Sequence, residues 1–409
     1  MPPEVVFLLR FTRLGHEAGY STAELEDRAL VIAEALGLPG VQVSVTPTLV
    51  EVSVGPLTHQ STHTLRVRPA TLDLGRLARL DALVRAVLER AVHADDALVV
   101  LDTIGAQPIS RPWPVILGAY ALAGAALTPV IGGGWREAVA AGIVGALVGA
   151  VALLSGHAPR MTTIVAPLAA IVAGWSAVAI ASLGLKASPD VVGLAALVTF
   201  LPGLTLTVGV RELATEHLQS GVANTANALV QLLGLIFGFE IGRSIATSWF
   251  GAVGDAAPHA AAALPQVLAA AAAGVAFTVS LKARSRDMPL ICAATVLAIV
   301  SNKVGAALLG RQAGVFGAAF VVGAAGGVAG ARLHRSPLVF LVPGVLMLVP
   351  GSAGFNSALQ LLANHTESGV SAAFDTFVTA ISIAYGLMIA TVVLPRRFAE
   401  TVPRPRGSQ

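Results

Sequence analysis

Residues 191–210 read VVGLAALVTFLPGLTLTVGV, twenty residues without a charge and with Pro202-Gly203 near their centre. A helix needs about 20 apolar residues to cross a hydrocarbon core of ~30 Å, because in lipid only internal hydrogen bonds satisfy its backbone. The length therefore reads as a membrane span. The Pro-Gly pair reads as a break in it, since proline has no amide to donate and glycine relaxes the backbone. A half-helix beginning after Gly203 would turn free N–H groups and a positive dipole end toward whatever lies ahead. Thr205 and Thr207 add hydroxyls there, and the whole suits a carboxylate. A proline kink packed against neighbours is the plainer reading of any isolated Pro-Gly.

Nine more stretches read as spans, at 113–131, 136–154, 162–185, 222–250, 265–281, 289–308, 312–331, 337–350 and 370–394. The one at 337–350 is short and interrupted by proline. The composition agrees: over 409 residues, 55% are hydrophobic and 12% charged, against about a quarter charged in ordinary soluble domains. Mean hydropathy is +0.77. The charge deficit is confined to the part after residue 112. Residues 1–112 hold ten arginines and thirteen carboxylates, a soluble-type mixture with net charge −3. Much of the overall positive excess sits in Arg396, Arg397, Arg404 and Arg406, beside the last apolar run, so it is no nucleic-acid signature.

The first part has α/β patterning. Residues 4–18 have helical periodicity up to Gly19, and Ser21-Thr22-Ala23-Glu24 offers a capping box for a second helix that stops at Gly37-Leu38-Pro39. Residues 41–45, 49–54 and 64–67 read as strands, and 74–92 and 95–104 as helices. Pro108, Pro112 and Pro114 stiffen the passage into the first span. No secretory leader is expected ahead of this part, since 1–13 has only a short apolar stretch.

Lys and Arg in the loops orient the spans. With the N-terminal domain cytoplasmic, the inner loops carry Arg160, Arg211, Lys282, Arg284, Arg286, Arg332, Arg335 and the basic tail. The outer loops carry Arg136, Lys186 and Arg311. Both termini are therefore expected inside, with an even helix count. An internal repeat fits this frame: Leu201-Pro202-Gly203 in the fourth span matches Val342-Pro343-Gly344 in the ninth, followed by Ser220-Gly221 and Ser368-Gly369 and a long final helix. Five helices is an odd number, so the second copy enters the membrane from the opposite face. Transporters built from such inverted repeats bind substrate between them near the midplane. The expected fold is an α-helical polytopic membrane protein of about ten transmembrane helices in two inverted five-helix repeats, with a soluble α/β N-terminal domain. The expected boundaries are 1–107 for that domain, 108–112 for a Pro-rich linker, 113–255 and 256–395 for the repeats, and 396–409 for the tail.

Ionisable groups within spans are functional candidates by default. Glu240 and Asp375 qualify, to take a substrate ammonium or a coupling proton. Against this, Glu240 has Arg243 one helical turn on, and Asp375 sits near an interface. Pro343-Gly344 and Pro350-Gly351-Ser352 offer a second broken-helix site from the other repeat. Arg211 and Glu212, with Glu216 nearby, read as an inner gate or as an ordinary charged turn. Asn224, Asn227 and Gln231 share one helical face as a polar seam, lining the pathway or bonding neighbours. Asn302 and Lys303 are weaker candidates. His16, Glu24, Glu26 and Asp27 read mainly as a solvated helix face. His59 and His63 lack the partners of a metal site, and Cys292 is the sole cysteine. No phosphate-binding loop ending in Lys-Ser/Thr occurs, which disfavours ATP-driven transport. No catalytic residue, metal or cofactor is expected.

The run of residues 9–27, LRFTRLGHEAGYSTAELED, with the strand 43–48, VSVTPT, resembles the opening of the bacterial threonine/serine exporter family. Phe200-Leu201-Pro202-Gly203, Arg211-Glu212-Leu213 and Ser220-Gly221 are similar to that family's first five-helix module, and Val342-Pro343-Gly344 and Val349-Pro350-Gly351 to its second. The resemblance spans nearly the whole chain. It implies export of threonine and serine across the bacterial inner membrane, driven by a proton gradient or membrane potential. The substrate-binding set would be Pro202, Gly203, Thr205, Thr207, Asn224, Asn227, Pro343, Gly344 and Ser352. The implied partners are a small amino acid, a coupling proton or ion and the bilayer, with no nucleic acid; a homo-oligomer stays open. Related split members imply a rival reading, dicarboxylate export, which would need Arg211, Arg243 or Lys303 to face the substrate. A membrane-anchored hydrolase with a catalytic N-terminal domain is the alternative of a different class.

Overall fold

The computed structural model describes residues 1–68, 72–107, 110–156, 161, 164–185, 187–251, 262–349, 351–362 and 365–394. Pro108, Arg160, Lys186, Pro350, the 255/256 boundary and the tail after Leu394 lie outside the described residues.

The N-terminal unit holds α1 (Pro3–Ala18), α2 (Thr22–Ala35), a β1-β2-β3 antiparallel meander (Gln42–Thr46, Leu49–Val54, Ser61–Arg66), α3 (Leu74–Leu88) and α4 (Ala94–Ala106). α1 closes at Gly19, where Gly19 N–H returns to His16 O and Tyr20 N–H to Gly15 O, the paired bonds of a glycine C-cap. In β2 the side chains alternate, with Val50 and Val52 buried and Glu51 exposed between them. Phe7, Leu8, Phe11, Leu25, Ile32 and Leu77 complete a dry core. Into this core goes Arg28, 1% exposed, held by Asp81 at 2.5 Å and Glu24 at 3.0 Å and lying 4.4 Å from the centre of the Tyr20 ring. Tyr20 Oη donates to the same Asp81 oxygen.

Two expectations are corrected here. The third strand begins at Ser61 rather than at 64, because it pairs with the whole length of β2. The capping box is absent: Ser21 makes no side-chain cap bond, and Glu24 turns instead to the buried Arg28. Burial of Arg28 demands a carboxylate nearby, and that need outweighs a solvent-facing cap.

The membrane part holds α5 (Trp113–Leu127), α6 (Trp135–Ser155), α7 (Val165–Ile180), α8 (Pro189–Ala196), α9 (Gly203–Ala214), α10 (Leu218–Phe250), α11 (Ala263–Ser280), α12 (Met288–Leu309), α13 (Arg311–Leu333), α14 (Leu338–Leu348), α15 (Gly351–Leu362) and α16 (Thr366–Val393). Among the described residues, eight helical stretches are long and apolar enough to cross a membrane. The α8 and α9 segments, bent by 49°, make up to nine, and α5 is a shorter apolar helix. The protein is therefore a mostly helical polytopic membrane protein.

Small residues bring the spans together, as expected where lipid provides no hydrophobic drive between helices. Gly234, Gly238 and Gly242 recur every fourth residue on α10. The latter two lay their bare faces on the backbone carbonyls of Pro167 and Ile171 in α7. α13 and α16 pack in the same parallel sense, with Gly386 on the Phe316 carbonyl and Gly323 on Ala390.

The fourth span breaks where the sequence indicates. Leu201, the residue before Pro202, is extended (φ −63°, ψ 126°), and α9 begins at Gly203. The second break is not at Pro343-Gly344, which lie inside an uninterrupted α14. It falls at Val349, also extended (φ −62°, ψ 134°), after which α15 starts at Gly351. The counterpart of Leu201-Pro202-Gly203 is thus Val349-Pro350-Gly351. Pro343 is the sixth residue of α14, so its missing amide leaves the Val339 carbonyl without its i+4 donor, and the helix nevertheless continues through it.

The N-terminal unit rests on one end of the helices. Arg111, just before α5, donates to Ser285 Oγ and Ala283 O; Leu74 N–H donates to Leu281 O after α11; Arg85 donates to His334 O after α13. The end of α9 and the start of α10 meet it through Arg211, Glu212, His217 and Ser220. α5 therefore starts at this face, whereas α11 finishes there.

Candidate functional site

The break at Pro202 sets the position of α9, and α9 carries four of the polar groups of one cavity. This cavity, of about 460 Å³, lies between the N-terminal unit and α9, α10, α14 and α16. Thr205, Thr207, Arg211 and Glu212 line it from α9, Asn224 and Asn227 from α10. Leu341, Val342 and Val345 of α14 and Leu387 of α16 supply an apolar wall. The α9 groups follow helical spacing, so one face of a single helix presents them all.

Glu212 is 1% exposed and engaged at both oxygens: Oε1 accepts from Thr22 N–H at 3.2 Å, and Oε2 from Asn224 Nδ2 at 2.7 Å. It satisfies an amide of the first turn of α2 from outside that helix, the task the sequence assigned to Ser21. Arg211 donates to Ser21 Oγ at 3.2 Å and has no carboxylate within ion-pair distance among the described residues. Arg211 and Glu212 are therefore buried or half-buried parts of the cavity wall rather than an ordinary charged turn. Thr207 Oγ1 donates to Gly203 O at 3.0 Å. Gln231 Nε2 donates to Phe200 O at 3.1 Å, taking up a carbonyl beside the break.

Other candidates stand elsewhere. Pro202 and Gly203 form the break itself, and Gly203 packs on Val349 and Gly351. Gly344 faces Val322 and Ala294, so it packs α14 on α13 and α12, while Ser352 is the second residue of α15. Glu240 pairs with Arg243 at 3.1 Å, and Arg243 also reaches Asp190 at 3.6 Å. Asp375 pairs with Arg311 at 2.5 Å. Both clusters lie toward the helix ends remote from the N-terminal unit. Lys303 is exposed on α12, and His63 reaches Ser61 Oγ at 3.4 Å on the sheet surface.

The sequence reading missed the contribution of the N-terminal unit. His16, read as solvated, is 5% exposed and lines the cavity with Ser21 and Thr22. Its ring Nδ1 is buried without a hydrogen-bond partner among the described residues. Such an unmet group costs ~1–3 kcal/mol. Burial pushes its imidazole below the ordinary histidine value, against the opposing pull of the Thr46 and Arg68 backbones and the Glu17 and Glu212 carboxylates. The missed signal was spacing: Leu8, Thr12 and His16 repeat every fourth residue on the buried stripe of α1. Glu26, also read as solvated, accepts from Val45 N–H and pairs with His217 at 3.2 Å.

The cavity wall combines one guanidinium, Arg211, with two carboxylates, Glu24 and Glu212, several hydroxyls and the carboxamides of Asn224 and Asn227 against an apolar side, groups that suit a small polar solute. Comparison with known proteins points the same way. The family profile described as "Putative threonine/serine exporter" matches residues 6–246, and that described as "Threonine/Serine exporter, ThrE" matches 266–393. A probable threonine/serine exporter of Mycobacterium tuberculosis is 25% identical over 93% of this chain and 74% of its own length. A threonine/serine exporter of Corynebacterium glutamicum is 22% identical over 93% of this chain and 80% of its own. The pheromone-regulated membrane protein 10 of Saccharomyces cerevisiae is 27% identical over 58% of this chain and 31% of its own. No solved structure matches. The chain belongs to the threonine/serine exporter family.

Proposed function

We propose that this protein exports small neutral hydroxy amino acids, threonine and serine, across the plasma membrane as a secondary transporter. The observation that carries the reading is the cavity in which Arg211 and Glu212 stand side by side with Thr205, Thr207, Asn224 and Asn227. A zwitterion needs one pole of each sign and a hydroxy side chain needs hydroxyl or amide partners; both are present in a space of amino-acid size. A dicarboxylate would need a surplus of cations. Arg211 is the sole arginine or lysine on the cavity wall and has a carboxylate beside it, while Arg243 is taken up by Glu240 and Asp190. This favours the amino acid.

In this reading α5–α10 and α11–α16 are two inverted five-span repeats. The matched breaks at Leu201 and Val349 support it, as does the opposite sense in which α5 and α11 meet the N-terminal unit. The N-terminal unit and both termini face the cytoplasm, in keeping with the Lys and Arg bias of the loops. Rocking of the repeats alternates access, driven by the proton gradient or membrane potential. Glu240 and Asp375 act from the far face, each parting from its arginine when a proton arrives there.

The test is counterflow of labelled threonine into proteoliposomes holding the purified chain. Exchange with unlabelled threonine and serine, and not with succinate, is the expected result. Exchange with succinate alone would replace this reading with the dicarboxylate one, and no exchange with any small amino acid would end it.

A further inference from the structure

The elbow that carries the cavity's polar groups, the end of α9 and the start of α10, recurs at the end of α15 and the start of α16. In the first elbow His217 N–H donates to Glu212 O and Gly221 N–H to His217 O, both at 2.9 Å. In the second, His365 N–H donates to Gln360 O and Gly369 N–H to His365 O, again at 2.9 Å. A Cβ on Gly221 would meet Leu213 Cγ at 2.7 Å, and one on Gly369 would meet Leu361 Cγ at 2.6 Å. Farther along, Gly238 of α10 lies on the Pro167 carbonyl of α7, as Gly386 of α16 lies on that of Phe316 in α13. From Glu212 to Gly238 each counterpart stands at one constant offset in the chain, so the two stretches compare side chain by side chain.

At that offset the polar seam of α10, Asn224, Asn227 and Gln231, becomes Ala372, Asp375 and Thr379 in α16, and Glu212 becomes Gln360. The carboxylate has changed places. The first elbow carries it at Glu212 with a carboxamide at Asn227; the second carries the carboxamide at Gln360 and the carboxylate at Asp375. Gln360 Oε1 is enclosed, whereas the Asp375 side chain is 44% exposed and can meet a solute. Beside Asp375 stand Arg311, 2.5 Å away at the start of α13, and Gln312, whose Oε1 accepts from Thr379 Oγ1 at 3.4 Å. Guanidinium, carboxylate and carboxamide together are also what Arg211, Glu212 and Asn227 give the cavity.

Building on the exporter reading and its inverted repeats, we propose that Asp375, Arg311 and Gln312 form a second amino-acid subsite on the far face, where the exported substrate rests before release. The substrate's ammonium takes Asp375, its carboxylate takes Arg311 and its hydroxyl takes Gln312. A half-exposed ion pair contributes little, because water solvates both of its poles. A zwitterion therefore opens it at small cost and gives each pole a new partner of the same sign as the old. The ammonium parts Asp375 from Arg311 just as a proton does. A dicarboxylate would set a second negative charge against Asp375, so this subsite selects for amino acids at the exit.

The experiment measures the threonine KM for counterflow from each face of the full-length protein, in right-side-out and inside-out membrane vesicles. Asp375→Asn should raise the ratio of far-face to near-face KM at least tenfold, while Asp375→Glu, which keeps the carboxylate, should stay within threefold of wild type. Glu212→Gln should move the ratio the opposite way. Arg311→Gln, at an exposed position, should raise the ratio at least fivefold and carries the test should Asp375→Asn fail to fold. An unmoved ratio in Asp375→Asn, or in Arg311→Gln where only that variant folds, overturns the far-face subsite and leaves the exporter reading intact. A lower melting temperature with that unmoved ratio would make the pair a structural tie between α13 and α16. Wild type that exchanges no amino acid from either face overturns both.

Discussion

Gly203 and Gly351 face each other across the two helix breaks: a Cβ on Gly203 would lie 3.3 Å from the Gly351 Cα, and one on Gly351 would lie 3.8 Å from the Gly203 Cα. The starts of α9 and α15 therefore cross at backbone contact, a spacing that larger residues forbid. The same Cβ on Gly203 would collide with Val349 Cγ1.

Gly203→Ala should accordingly destabilise the membrane part by about 1–3 kcal/mol, the usual range for forcing atoms into a packed interior. It should also slow counterflow by at least tenfold, since α9 must tilt to make room. Val349→Ala in the same chain removes the colliding methyl and should recover part of both. Thermal unfolding in detergent and counterflow read the two effects; a Gly203→Ala protein of wild-type stability and rate would mean the breaks are not closely packed.

Glu212→Gln keeps shape but removes the charge that Thr22 N–H and Asn224 Nδ2 are bonded to. Hydrogen bonds to charged groups contribute about 1.5–3 kcal/mol. An increase in the threonine KM of ten- to a hundredfold is expected, with succinate still not exchanged. An unchanged KM would place the ammonium elsewhere.

Inside the N-terminal unit, Arg28 and Asp81 should be far more sensitive to single than to paired replacement. Removing one partner of a buried ion pair costs ~3–5 kcal/mol, because the other charge stays buried and uncompensated. Asp81→Ala should therefore melt the unit at much lower temperature, and Arg28→Met/Asp81→Leu should regain most of the loss. Equal losses in the single and double variants would contradict the coupling.

The lowered proton affinity of His16 gives a pH test with a definite sign. Between its folded value and the ordinary value of about 6.5, the unfolded chain binds the proton and the folded chain does not. Stability from this residue is thus intact above that window and falls as pH drops through it. The wild-type melting temperature should decline from pH 7 to pH 5 more steeply than that of His16→Gln, which has no group titrating there. Parallel curves would show that burial at residue 16 does not oppose protonation.

Much of this architecture was legible in residue order. Apolar lengths marked the spans, and the residue before a proline marks where a helix must open, as Leu201 shows. The second break was misplaced because Val342-Pro343-Gly344 and Val349-Pro350-Gly351 carry the same local signal seven residues apart. Only the backbone separates them: the helix continues through Pro343, whereas Val349 is extended and α14 ends before it. The candidate site divided in the same way. Asn224 and Asn227 could be grouped by helical spacing and Thr205 and Thr207 by their place after the break, while His16 could not be brought to them, since it lies nearly two hundred residues away on another unit.

By itself the sequence determined what each segment can tolerate: which stretches can sit in lipid, where an amide is missing, which side chains carry charge. Those properties belong to residues and their near neighbours, within a few helical turns. The tertiary structure decided which charges are spent and which remain idle. Glu24 went to Arg28, Glu240 to Arg243 and Asp375 to Arg311, leaving Arg211 and His16 at a shared cavity. Pairing depends on distance and burial between segments remote in the chain, and no local pattern encodes either.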